Sequence, residues 1–131
     1  MRLQLADNEN DQSIHDRVFT AMRYLLRQRV ELRRPVTYID ATNLTPRDRK
    51  PFLDLAHELG AVTGAIWFDI PLEVCKARNA ARHRVVPPEA LDQLAAKLVP
   101  PSLDEGFATI EAMALNPDAK SEGLVSRLIT R

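Results

Sequence analysis

The tetrapeptide Asp40-Ala41-Thr42-Asn43 places a carboxylate, a hydroxyl and an amide directly after the apolar run VTYI at residues 36–39. In an open parallel α/β sheet, ligands bind beyond the carboxyl ends of the strands. If residues 36–39 form a strand, these side chains could hold a hydrated Mg²⁺ or orient a phosphate-bearing ligand. The same groups suit turn and helix-capping hydrogen bonds, so both interpretations stay open.

A cluster of cations is the second candidate for chemistry, because no acid lies between Glu73 and Glu89. Arg78 and Arg82 are four residues apart, so on a helix they would share a face and repel each other weakly. A bound phosphate would relieve that repulsion, since guanidinium pairs suit phosphate oxygens. A solvated basic face is the alternative. The cluster consists of Lys76, Arg78, Arg82 and Arg84.

Composition limits what the molecule around these residues can be. The 131 residues are 45% hydrophobic and 27% charged, with 18 basic and 18 acidic side chains, which indicates one globular domain rather than a disordered chain. The formal net charge of zero argues against general binding to polyanions. The sole cysteine, Cys75, excludes an internal disulfide, and the histidines lack metal-ligand spacing. No membrane span or signal peptide is recognisable, so we expect a cytoplasmic protein without a membrane partner.

Apolar periodicity and helix-capping residues predict alternating helices and strands. Strands that are apolar on both sides and alternate with helices imply a parallel sheet covered on both faces. The predicted elements are a helix at 13–32, a strand at 36–39, a helix from Thr45-Pro46 to Gly60, a strand at 62–68, a helix at 71–82, a short helix through Leu91, Leu94 and Leu98, a strand or, less favoured, a helix at 107–113, and a strand or helix at 123–130.

Three segments in order, VTYIDATNLTPRDRK, DIPLEVCKARNAARHRVVPPEAL and PPSLDEGF, resemble P-loop kinases of the polynucleotide-kinase-like group, among the AAA-type ATPases and kinases. The resemblance covers residues 1–113. It implies an α/β fold with a three-layer, P-loop-kinase-like parallel sheet flanked by helices, in which the first, central strand is missing. It also implies one domain, residues 1–131, with a lid at about residues 76–90.

The resemblance assigns roles to individual residues, with ATP and Mg²⁺ as the implied cofactors. Asp40 resembles the acid beside the Mg²⁺-nucleotide site and is expected to act in catalysis and metal binding, with Thr42 and Asn43 in the same nucleotide-binding turn. Arg82 is similar to the lid arginine that contacts nucleotide phosphates and is the second expected catalytic residue, supported by Arg78. Arg2 matches the arginine that contacts the phosphoryl acceptor.

The sequence departs from that family at the phosphate cradle. A G-x-x-x-x-G-K-[ST] motif should hold the phosphates, but none of the four glycines lies in such a motif. The family's general-base aspartate would stand three residues before Arg2, ahead of Met1. We therefore expect phosphoryl transfer by these residues to be impaired or absent.

Two functions from different classes remain open. One is an ATP-dependent kinase that phosphorylates a hydroxyl on a nucleic-acid end or a small molecule. The other is a non-catalytic interaction module, or a kinase fragment that associates with a partner chain or a second copy. A missing central strand favours association, because it would leave unpaired backbone groups in a gap about 10 Å wide. A stand-alone nucleic-acid binder is disfavoured by the zero net charge.

Overall fold

The computed structural model describes residues 14–116 and 123–130. Its chain divides into two compact units. The first unit comprises Met1–Ala41 and Asp54–Ala61, and the second comprises Thr42–Leu53 and Val62–Arg131. No helix in the described parts of the chain is long and apolar enough to cross a membrane.

The described residues form four α-helices, one 3₁₀ helix and three strands, which confirms the α/β fold class. The elements are α1 (His15–Glu31), α2 (Pro46–Glu58), β1 (Gly64–Asp69), α3 (Leu72–Ala80), α4 (Pro88–Lys97), the 3₁₀ helix (Leu103–Glu105), β2 (Thr109–Leu115) and β3 (Leu124–Thr130).

The second unit contains a mixed sheet in the order β1-β2-β3. β1 and β2 are parallel, with Gly64 opposite Thr109, whereas β3 runs antiparallel to β2. The connection between β2 and β3 spans residues 116–123, and a parallel crossover needs about a dozen residues or more, so β3 returns in the opposite direction. The tail for which strand and helix remained open is therefore a strand, and the sheet is not wholly parallel.

One face of this sheet is buried and the other is exposed. Ile110 and Ala112 of β2 are 2% and 8% exposed, and burial alternates along the strand. The register places Ile66, Glu111 and Leu128 side by side on the opposite face. Ile66 is 51% exposed and Leu128 is 64% exposed, so the residues that the structure describes do not cover this face, contrary to the prediction of a sheet covered on both faces.

Local capping explains how α2 begins and ends. The Thr45 hydroxyl accepts a hydrogen bond from the Asp48 N–H at 3.3 Å, and the Asp48 carboxylate accepts one from the Thr45 N–H at 3.0 Å. Pro46 occupies the first helical position, where its missing N–H costs nothing. Gly60 follows the helix with a φ of +68°, the left-handed conformation typical of a helix stop. These observations confirm the predicted helix.

The predicted strand at residues 36–39 is wrong. This segment of the first unit carries no secondary structure, and Val36 and Tyr38 are 53% and 80% exposed. The Arg29 guanidinium donates instead to the Val36 carbonyl and the Thr37 hydroxyl, both at 2.9 Å. A strand forms only beside a neighbour that pairs with its backbone. The strands of residues 14–116 and 123–130 are β1, β2 and β3, and none of them pairs with residues 36–39.

Candidate functional site

The Thr42-Asn43 turn follows residues 36–41 and leads into the start of α2. Thr42 is exposed and Asn43 is partly buried, and both belong to the second unit. Asn43 has a φ of +43°, the left-handed region that asparagine tolerates better than most residues. Asp40 is exposed and belongs to the first unit.

A buried arginine on α2 holds the backbone of this turn by a hydrogen bond. Arg49 is only 7% exposed. Its Nη1 donates to the Asn43 carbonyl at 2.8 Å and to the Val99 carbonyl at 3.0 Å. Its Nε and Nη2 donate to the two oxygens of Glu105 at 2.8 and 2.9 Å, a two-pronged ion pair. One guanidinium on α2 therefore connects the turn, the segment after α4 and the 3₁₀ helix.

Glu105 is held in place from two directions. Besides the arginine, the Ser102 N–H donates to its carboxylate at 3.0 Å, which closes a capping box around the 3₁₀ helix. The hydrogen bonds from Arg49 are the main reason that the pKa of Glu105 lies below its ordinary value, and partial burial opposes that shift. Gly106 then ends the 3₁₀ helix with a φ of +112°.

The Asn43 side chain has a buried oxygen that lacks a partner. Within the described residues, no hydrogen bond reaches Asn43 Oδ1, although solvent cannot reach that atom. Buried polar atoms are normally paired, so an unpaired one marks an unusual local environment.

The candidate lid is built around a buried asparagine near the end of α3. Asn79 is 6% exposed. Its Nδ2 donates to the Val86 carbonyl at 2.7 Å, and its Oδ1 accepts from the Val86 N–H at 3.0 Å. One carboxamide thus satisfies both backbone groups of Val86, as a neighbouring strand would. The clamp fixes both ends of the segment 79–86, which carries Arg82.

The predicted helix at 71–82 ends earlier than expected. α3 stops at Ala80, and the Arg82 N–H donates to the Asn79 carbonyl at 3.1 Å in a tighter turn. Arg78 and Arg82 therefore do not share a helix face, which corrects that prediction. Both side chains are nevertheless exposed on the same short segment.

Lys76 of the cation cluster is paired with acidic side chains on α3 and α4. Its Nζ lies 2.7 Å from the Asp92 carboxylate and 3.8 Å from that of Glu73. The hydrogen bond to Asp92 is the main cause of the raised pKa of Lys76. The ion pair between Lys76 and Asp92 therefore connects α3 to α4.

The candidate site contains few side chains that could bind a metal ion. In the described ranges, no group of three histidine, cysteine or acidic residues could hold a metal. Mg²⁺ needs few protein ligands, because it keeps several waters and is bound by one or two carboxylates together with substrate phosphates. Asp40 could serve as such a carboxylate. Arg2, the predicted acceptor contact, lies outside the described residues.

Sequence reasoning missed Arg49, Asn79 and Glu105 as site residues. A signal for Arg49 existed, because it precedes Phe52 by three residues and Ala56 by seven, which places it on the buried face of α2. An arginine at such a position requires a buried acid or carbonyl partner.

Comparison with known proteins connects this geometry to a family. The sequence profile described as an AAA domain matches residues 1–101, which include α1 to α4, the Thr42-Asn43 turn and the candidate lid. No match was found among curated proteins.

Proposed function

The chain belongs to the AAA domain family, a P-loop NTPase-like family whose members generally bind nucleotide with Mg²⁺, and we propose on that basis that it is an ATP-dependent kinase-like protein. The finer assignment is to the polynucleotide-kinase-like group, which phosphorylates hydroxyls. The acceptor would be a nucleic-acid end or a small molecule. The proposed location is the cytoplasm, where ATP is available.

The clamp between Asn79 and Val86 is the observation that carries this proposal. Exposed arginines are common, but here a buried carboxamide fixes the backbone that presents them. Fixing the segment in advance lowers the conformational cost of placing Arg82 against a phosphate. A basic face that served only solubility would not need a buried polar anchor.

Each predicted residue has a role in this proposal. Arg82 stabilises the negative charge on the phosphate oxygens during transfer, and Arg78 supports it from the last turn of α3. Thr42 and Asn43 donate hydrogen bonds to the nucleotide from their turn. Asp40 would hold a hydrated Mg²⁺, and ATP, when bound, would supply the phosphoryl group. Arg2 would contact the acceptor.

We infer that transfer by these 131 residues is slow, because they contain no G-x-x-x-x-G-K-[ST] motif. In P-loop enzymes that motif supplies the backbone amides and the lysine that cradle the phosphates. Preorganised donors of this kind usually make the largest electrostatic contribution to catalysis. The proposal is therefore nucleotide binding with weak or absent turnover.

Titration calorimetry with Mg-ATP tests the proposal, using the wild-type chain, Arg82→Ala and Arg34→Ala. Arg34 is an exposed arginine of the first unit and serves as the matched control. We expect saturable binding to the wild type and to Arg34→Ala, and a loss of about tenfold or more in affinity for Arg82→Ala. No binding by the wild type at millimolar Mg-ATP, or equal affinity for all three proteins, would overturn the proposal.

Association of two copies is the second candidate function, and a different observation favours it. The open sheet face presents Ile66, Phe68 and Leu128, each more than half exposed. In the described parts of the chain, β2 is the only strand beside β1, so the outer backbone edge of β1 has no strand neighbour. Two such edges could pair about a twofold axis and satisfy each other's backbone groups.

Sedimentation equilibrium distinguishes this candidate from a monomeric binding protein. We expect the wild-type chain to dimerise with increasing concentration, and Phe68→Lys to stay monomeric because a charge on the contact face disfavours burial. Tyr38→Lys is the matched control, since Tyr38 is an exposed aromatic residue outside the sheet. A wild-type chain that remains monomeric at all concentrations contradicts the candidate.

A further inference from the structure

We propose that Arg49 is a positioning residue that holds the Thr42-Asn43 turn in the conformation that receives nucleotide phosphates. The inference rests on the proposed function, because it concerns the same nucleotide site. Arg49 itself is buried and would not touch the nucleotide.

The geometry of the guanidinium is the first argument. Arg49 uses Nη1 on two backbone carbonyls, those of Asn43 and Val99, and uses Nε and Nη2 on Glu105. The Val99 N–H also donates to the Leu44 carbonyl at 2.8 Å. Asn43 is therefore connected to Val99, in the segment after α4, through Arg49, and the next residue, Leu44, is connected to Val99 directly.

The conformation of Asn43 is the second argument. Its φ of +43° is unfavourable for a residue with a Cβ, and its buried Oδ1 has no partner among the described residues. Such conformations persist only where the surrounding structure determines them, and they concentrate at ligand sites. The hydrogen bond from Arg49 to the Asn43 carbonyl supplies that constraint on this residue directly.

The chemistry of arginine is the third argument. A planar guanidinium offers five N–H donors in fixed directions, so it can serve a carboxylate and two carbonyls at once. A lysine ammonium keeps the charge but is a compact point donor on a flexible stem. Arg49→Lys should therefore retain an ion pair with Glu105 and lose the alignment of the turn.

Two measurements on the full chain test the inference, with Arg27→Lys as the matched control. Arg27 also pairs with a glutamate, Glu58 at 3.0 Å, but in the first unit and with both side chains substantially exposed. The first measurement is amide hydrogen exchange of Val99 relative to Ile110 in the sheet core. The second is the dissociation constant for Mg-ATP, measured at a temperature at which circular dichroism shows each variant to be folded.

In Arg49→Lys we expect the Val99 amide to exchange about tenfold faster or more, with Ile110 unchanged. We also expect Mg-ATP affinity to fall by about tenfold, the size typical for loss of an outer-shell partner of a binding site. Arg27→Lys should leave both quantities unchanged. The loss of affinity is the part that a purely structural role of Arg49 would not produce.

The outcomes separate this inference from the proposed function. If the wild type binds Mg-ATP and Arg49→Lys binds it equally well, the positioning role is refuted and the proposed function stands. Unchanged exchange at Val99 in Arg49→Lys also refutes it. If the wild type does not bind Mg-ATP, the proposed function fails and the positioning role fails with it.

Discussion

The clamp between Asn79 and Val86 yields a prediction whose size follows from the structure. Asn79→Ala removes a donor and an acceptor that lie 2.7 and 3.0 Å from the two backbone groups of Val86. Asn79 is 6% exposed, so water does not already compete for these bonds. Two hydrogen bonds at about 1 kcal/mol each give a loss of about 2 kcal/mol. Local opening of residues 79–86 should then become about 30 times more frequent.

Limited trypsin digestion measures this opening directly, because Arg82 and Arg84 lie inside the clamped segment. When opening is fast, the cleavage rate follows the population of the open form. Mass spectrometry should therefore detect cleavage after these arginines about 30 times faster in Asn79→Ala. Cleavage after Arg23 in α1 should keep its wild-type rate and serves as the internal reference.

The matched control for this prediction is Gln93→Ala, which removes an exposed carboxamide from α4. It should leave both cleavage rates unchanged. If Asn79→Ala is cut after Arg82 at the wild-type rate, the clamp does not restrain the segment. If cleavage after Arg23 accelerates equally, the substitution acts on the whole fold, and the reasoning about a local clamp is also refuted.

Three further predictions concern the junction around Glu105. The pKa of Glu105 is lowered in the folded state, so its carboxylate stabilises the fold above its unfolded pKa. This stabilisation is lost as the pH falls through the folded pKa. In urea unfolding, the difference in unfolding free energy between the wild type and Glu105→Gln should therefore shrink on acidification. Arg49→Met should cost about 3 kcal/mol in urea unfolding, because it removes the cation from the partly buried Glu105 carboxylate and the donor from two backbone carbonyls. Arg27→Met at an exposed pair should cost less than about 1 kcal/mol, and equal costs would contradict the assignment. Gly106→Ala should reduce the free energy of unfolding by about 1–2 kcal/mol and so lower the melting temperature, because a φ of +112° is strained for any residue with a Cβ even where space is free. An unchanged melting temperature would refute this.

Most elements could be predicted because their signals are local. The cap at Thr45, the proline at Pro46 and the stop at Gly60 fix α2 within a few residues of sequence, and the structure confirms them. Apolar periodicity likewise located α1, observed at His15–Glu31 within the predicted 13–32. These signals act through hydrogen bonds and side-chain contacts between near neighbours, so a single sequence contains them.

The failures concern features that depend on distant partners. Residues 36–39 are apolar and β-branched enough for a strand, yet pairing decides whether a strand forms. The pairing direction of β3 and the open sheet face likewise depend on how whole elements meet. Within the candidate site, the cation cluster pointed to Arg78 and Arg82. The role of Asn79 depends on Val86, and that of Arg49 depends on a glutamate 56 residues away.

The ion pair between Arg49 and Glu105 affects how this protein can be shortened. The segment recognised by similarity ends at residue 101, four residues before the carboxylate that neutralises the buried guanidinium. A fragment cut at that boundary would retain Arg49 without its counter-ion and would lose β2, the strand that pairs with β1, together with β3, which pairs with β2. Such a fragment should be insoluble or unfolded. Designs for expression, crystallisation or domain fusion should therefore keep the chain at least through β3.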